Sequence, residues 1–88
     1  MKLILKNKFK KDFKRAERQN KPINILQEVI QSLLNNKKLD VKYDDHQLKG
    51  VYKNYKECHL TGNWLLIYKK DKDSLMLIRT GSHSELFS

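Results

Sequence analysis

Apolar and charged positions alternate at the start of the chain, with Leu3 and Leu5 on one side of a short strand and Lys2, Ile4 and Lys6 on the other. From about Asn7 the spacing changes. Phe9, Phe13 and Ala16 fall at i, i+4 and i+7, so they share one helical face, while Lys10, Lys11, Lys14, Arg15 and Arg18 cover the rest. Gln19-Asn20-Lys21-Pro22 breaks this helix, and Pro22 suits the opening turn of a second one. There Ile25, Leu26, Val29, Ile30, Leu33 and Leu34 form a broad apolar stripe that ends at Asn35-Asn36. Residues 37–50 are polar and read as a long loop, a length that in compact domains is often functional. Strand-like alternation begins at Val51, with Cys58 and Leu60 opposite Glu57 and His59. Thr61-Gly62-Asn63 is a turn, and Trp64–Tyr68 is a strand apolar on both faces. Lys70–Asp73 is a hairpin loop, Ser74–Thr80 a last strand, and Gly81 turns the chain into a tail, SHSELFS.

The expected class is therefore α+β in the order β-α-α-β-β-β, a helical hairpin packed on one face of a small antiparallel sheet. One domain spans residues 1–88, and a chain this short buries only about 60–65% of its unfolded surface. An enclosed cofactor cavity is not expected; the working site should be an open groove. Lys and Arg number 19 against 10 Asp and Glu, a net charge of +9 that favours phosphate backbones or acidic partners. Cys58 is the only cysteine, so no intrachain disulfide can form and a reducing compartment fits. No apolar run approaches the ~20 residues of a membrane span, and MKLILKNKFKK lacks the apolar core of a secretory signal. A cytoplasmic protein with no membrane partner is the expectation.

All three histidines lie in the second half: His46 in DDHQLKG, His59 in ECHL and His83 in GSHSELF. Imidazole titrates closest to neutrality and can both accept and return a proton. With the basic excess, this suggests proton transfer on a polyanion. RNA carries its own nucleophile in the 2′-hydroxyl. Cleavage through it requires a base for that proton, an acid for the departing 5′-oxygen and positive charge on the phosphate. Either His59 or His46 could be the base and His83 the acid, with the roles interchangeable at this level. Arg79 is the natural phosphate clamp, since guanidinium offers planar, multi-donor contacts. Glu57, two residues from His59 on the same strand face, could tune an imidazole or act as the base. Phe87 could stack on a base or close the core, and Trp64 could be core or groove wall. A zinc site using Cys58 with the histidines matches no common ligand spacing, and Cys58 and His59 should face opposite ways.

The segment from DDHQLKG to YKECHLTGNWLLIYKKDKDSLMLIRTGSHSELF resembles the RelE/ParE superfamily of bacterial toxins, specifically its YafQ-like branch. The pattern is a histidine before L-x-G, a second histidine at a strand end, an acidic residue and Trp, then R-x-G-[ST]-H-x-x-L-F. RTGSHSELF is its most specific piece. The resemblance covers roughly the second half of the chain, and the helical first half agrees in element order. It implies a RelE-like fold and a messenger-RNA endonuclease that works in the ribosomal decoding site without metal or organic cofactor. It also implies a cognate antitoxin. On the matching positions, His46, His59, Glu57, Arg79 and His83 would be catalytic, and Lys49, Asn63, Trp64 and Phe87 would contact RNA. One departure matters: Asn63 stands where the branch usually has an acidic residue, and an amide cannot shuttle a proton. Two other readings are a non-catalytic ParE-like inhibitor of a DNA topoisomerase and a basic RNA-binding module without chemistry.

Overall fold

In a computed structural model of the chain, which describes residues 1–87, five strands form one sheet in the order β1-β5-β4-β3-β2. The elements run β1 (Lys2–Leu5), α1 (Asn7–Arg18), α2 (Ile23–Leu34), β2 (His46–Gln47), β3 (Lys56–Thr61), β4 (Trp64–Lys70), β5 (Ser74–Gly81) and α3 (His83–Phe87). Both long helices end in the same way. Asn20 and Asn36 take positive φ, while the N–H of Lys21 bonds the Ala16 carbonyl and that of Lys37 bonds the Ser32 carbonyl. This is the Schellman arrangement, which satisfies carbonyls left over at a helix end and tolerates Asn in place of Gly.

The helical hairpin covers one face of the sheet, as its stripes imply. Phe9, Ala16, Leu26, Val29 and Leu33 pack with Cys58, Leu60, Trp64, Leu66, Tyr68, Leu75 and Leu77 in one core. Trp64 is 1% exposed there, so it is not an RNA contact. Its even-numbered neighbours on β4 share that face, and Leu65 and Ile67 point the other way. The opposite face is covered more thinly. Leu65, Ile67 and Leu86 form a second small core with Leu48, Tyr55 and Ile78.

Three expectations need correction. First, the sheet is mixed: β3, β4 and β5 form the antiparallel meander, but β1 pairs with β5 in parallel. More than sixty residues separate the two strands, so no tight turn dictates their direction. Second, residues 37–55 are neither plain loop nor early strand. They contain short 3₁₀ turns at Val41–Tyr43 and Gly50–Tyr52 around β2, and β3 starts only at Lys56. Gln47 locks this segment, its side-chain amide donating to the carbonyls of Lys53 and Tyr55. Third, the tail is a helix. Ser82 Oγ accepts from the Glu85 N–H, and Glu85 Oε1 accepts from the Ser82 N–H, a reciprocal capping box that starts α3. Among the described residues no helix is long and apolar enough to cross a membrane.

Candidate active site

The thinly covered face carries the three imidazoles. β2 pairs with the sheet's edge so that His46 stands directly opposite Glu57. Asp45 fixes this short strand, accepting from Lys56 Nζ (2.9 Å) and from the Tyr68 hydroxyl (2.5 Å). Burial, followed by this bond to Asp45, pushes the Tyr68 phenol above its ordinary range. His59 follows two residues after Glu57 on the same face of β3. α3 supplies His83 from across the sheet. Ring centroids lie 6.1 Å apart for His46 and His59, and 6.3 Å for His59 and His83. The expected convergence is present.

Glu57 lies beneath the rings at 3% exposure. Its Oε2 is 3.1 Å from His46 Nε2 and 3.8 Å from His59 Nε2. Among the described residues, Oε1 is buried and has no hydrogen-bond partner. His46 Nδ1 is 2.7 Å from the Asp44 carbonyl, which can only accept, so that nitrogen carries a proton. Nε2 therefore faces the buried carboxylate, and the two form an ion pair whenever the imidazole is protonated. Asp44 joins them, with Oδ2 3.6 Å from His59 Nε2. Asp44 was missed in the sequence; its position two residues before His46 is an ambiguous signal, because its reach depends on a left-handed backbone (φ 46°, ψ 51°).

Arg79 has a partner the sequence did not suggest. Its Nε and Nη2 donate to Asp12 at 2.6 and 3.2 Å, and this bond raises the guanidinium above its ordinary range. Asp12 is 4% exposed and also accepts from Arg15 (3.1 Å) and from the Thr80 N–H (3.1 Å). The reason is local. β1 stops opposite Leu77, so β5 runs on with an open edge, and α1 passes beside it. Asp12 takes the place of the missing strand. Ile67 pairs with Arg79 but Tyr68 pairs with Leu77, so Ile78 is an extra residue. This bulge sets Ile78 and Arg79 both toward the site side, a common use of such an irregularity. A hint of Asp12 was available: it lies on the Phe9–Ala16 face of α1, where an acid is out of place unless paired.

Arg15 extends the network, its Nε 3.2 Å from Glu85 Oε2. Glu85 is held below the ordinary carboxylate range, mainly by the Ser82 N–H and further by Gln19 and Arg15. The helix bearing His83 and Phe87 is therefore fastened to α1. Gly81 allows this closeness: a Cβ there would come 2.8 Å from Arg15 Nη2 and 3.0 Å from Glu85 Oε1.

Phe87 sits at the rim, 39% exposed, with its ring 5.5 Å from His83 and 5.6 Å edge-on to Tyr52. Lys49 and Asn63 are exposed, Asn63 in the β3–β4 turn, and neither is bonded to a histidine among the described residues. Glu57, His59 and His83 bring ligand atoms within 4.8 Å of one another, a set that could also hold a metal ion. Cys58 faces the helices and cannot join it. Burial, then the nearby Asp45 and Glu57 charges, pushes its thiol up to about 12.

Known proteins resemble the chain in sequence and in fold. The chain is 39% identical over 80 residues to the mRNA interferase toxin YafQ of Escherichia coli K12, covering 90% of this chain and 87% of that one. Its fold matches a copper-bound L66S mutant toxin from Helicobacter pylori (TM-score 0.94, 42% identity, 99% of each chain covered). It also matches an E. coli DinJ–YafQ complex (TM-score 0.91, 36% identity, 98% of this chain and 97% of that one). The model of the family described as bacterial toxin of type II toxin-antitoxin system, YafQ, matches residues 1–88, and the chain belongs to that family.

Proposed function

We propose that this chain is the toxin of a toxin–antitoxin pair, a cytoplasmic endoribonuclease that cuts messenger RNA on the ribosome and so stops translation. The observation that carries the reading is the row of imidazoles over one buried carboxylate. In the reaction, a base takes the proton of a 2′-hydroxyl, whose oxygen attacks the adjacent phosphorus. The bond to the 5′-oxygen breaks, that oxygen takes a proton from the acid, and the products end in a 2′,3′-cyclic phosphate and a 5′-hydroxyl.

The surroundings favour His59 as base. It is half-buried and has Asp44 and Glu57 oxygens at 3.6 and 3.8 Å, which stabilise the imidazolium as the proton arrives. His83 is exposed on α3 and, among the described residues, makes no such ion pair, which suits the acid. Glu57 is too deep to meet the substrate first. It orients His46 from beneath. Arg79, its fork aligned by Asp12, retains donors beyond the two that Asp12 takes for the charge growing on the phosphate. Phe87 stacks on a base, and Lys49 and Asn63 add contacts along the strand. No step requires a metal ion; one seated on Glu57, His59 and His83 would occupy the lone pair that the base needs. The antitoxin is an acidic partner by charge balance against +9, and a DinJ–YafQ toxin–antitoxin complex is known from E. coli.

The test is single-turnover cleavage of ribosome-bound message by the wild type, His59→Ala and His83→Ala. Each imidazole should contribute roughly 10²–10⁴-fold, with unfolding curves unchanged. Intact message together with blocked DNA supercoiling would replace this reading with the ParE-like one.

A further inference from the structure

Beyond the cutting site, six rings form a continuous track. From His46 it runs through His59, His83, Phe87 and Tyr52 to Tyr55, with successive centroid separations of 6.1, 6.3, 5.5, 5.6 and 6.3 Å. The far end opens on a cavity of about 400 Å³ between the β1–α1 corner and the end of β5. Tyr55, Ile78 and Arg79 line it together with Lys6, Asn7 and Lys8. Among the described residues no acidic side chain lines it. Its volume lies in the range that takes a nucleotide-sized ligand. An aromatic face beside cations is what binds single-stranded nucleic acid, the ring receiving the base and the cations the phosphate. Arg79 belongs to both places: it stands in register with Ile67 and, one strand further, Glu57, their backbones about 10 Å apart across two strand spacings.

We propose that this cavity is a subsite for a message nucleotide flanking the scissile phosphate, its base stacked on Tyr55 and its phosphate held by Lys6 and Lys8. The inference rests on the RNA-cleaving reading above. Tyr52 and Phe87 bridge the two positions, and Arg79 marks the border between them. Tyr55 is secured for this role through its backbone, since its carbonyl accepts from the Gln47 amide and from the Leu48 N–H. Those bonds survive side-chain substitution.

The experiment measures binding to ribosomes carrying a message made uncleavable by a 2′-deoxy at the cut nucleotide. An abasic residue is placed at each of the three positions on either side in turn. Tyr55→Ala should weaken binding about five- to hundredfold, and Tyr55→Phe should not. One abasic position should cost the wild type the same factor and cost Tyr55→Ala nothing more, as expected of two changes that remove one contact. On cleavable message, Lys6→Ala/Lys8→Ala should raise KM while leaving kcat within about twofold. Wild-type binding by Tyr55→Ala would overturn the subsite. So would a Tyr55→Ala loss that adds to every abasic loss, because the ring would then be stacking on ribosomal RNA instead. Failure of the wild type to cut any ribosome-bound message is a separate result and counts against the nuclease reading itself.

Discussion

Replacing Asp12 by alanine tests how the site is held. The carboxylate is 4% exposed and accepts four bonds: two from Arg79, one from Arg15 and one from the Thr80 N–H. Its loss strands a guanidinium and an edge N–H that no other group replaces. Removing one partner of a buried ion pair typically costs about 3–5 kcal/mol. Arg79 and Arg15 keep 26% and 31% of their side chains exposed, so water can recover part of that, and the lower end, about 3 kcal/mol, applies. For a domain of this size, that lowers the melting temperature by roughly 12–24 °C. Thermal and urea unfolding followed by circular dichroism would measure it. Most of the cost is the orphaned charge, so Asp12→Ala/Arg79→Leu should regain about 1–2 kcal/mol over Asp12→Ala. A fall under about 4 °C, or strict additivity of the two substitutions, would refute the argument.

Further outcomes follow from the same contacts. Gly81→Ala places a Cβ against Arg15 and Glu85 and should shift α3, cutting cleavage about 10–100-fold at a modest cost in melting temperature. Asp44→Asn should slow the chemical step about tenfold by removing a carboxylate from His59, and a rate equal to wild type would exclude that role. Asn63→Asp tests the amide at that position, a faster single-turnover rate showing that the missing carboxylate limits cleavage. Stability should fall in alkali. The Cys58 thiol is raised from 9.0 to about 12, so its contribution is complete below pH 9 and disappears as pH climbs through 12. The loss should reach roughly 2–3 kcal/mol by pH 11, with Tyr68 acting in the same direction, and Cys58→Ala should flatten the Tm–pH curve there.

Much of the architecture was legible because periodicity reports burial directly. The stripes of α1 and α2, the Asn-terminated helix ends and the both-faces-apolar β4 all appear where residue spacing places them. The imidazoles were legible as chemistry, since few packing reasons put histidine in such segments, and His59 and Glu57 share a face by parity alone. What escaped depends on contacts distant in sequence. Asp12 and Arg79 are 67 residues apart, and nothing in the spacing of either announces the other. The direction of β1 escaped for the same reason. β2 is two residues long, too short for any alternation to register, yet it places His46 over Glu57. α3 could have been read: Ser82 and Glu85 are spaced as a capping box, a signal that the strand preceding it obscured. Trp64 shows the opposite hazard. A residue adjacent to candidate site positions in a motif turned to the other face of the sheet, because neighbours along a strand point apart.

The most direct measurement uses ribosome-bound message with a single deoxyribose at the cut nucleotide, beside the all-ribose control. If the imidazoles act through the 2′-hydroxyl, the control yields fragments ending in 2′,3′-cyclic phosphate and the substituted message stays whole at that position. Cutting of the deoxy message at the control rate, or products bearing a 5′-phosphate, would contradict the account.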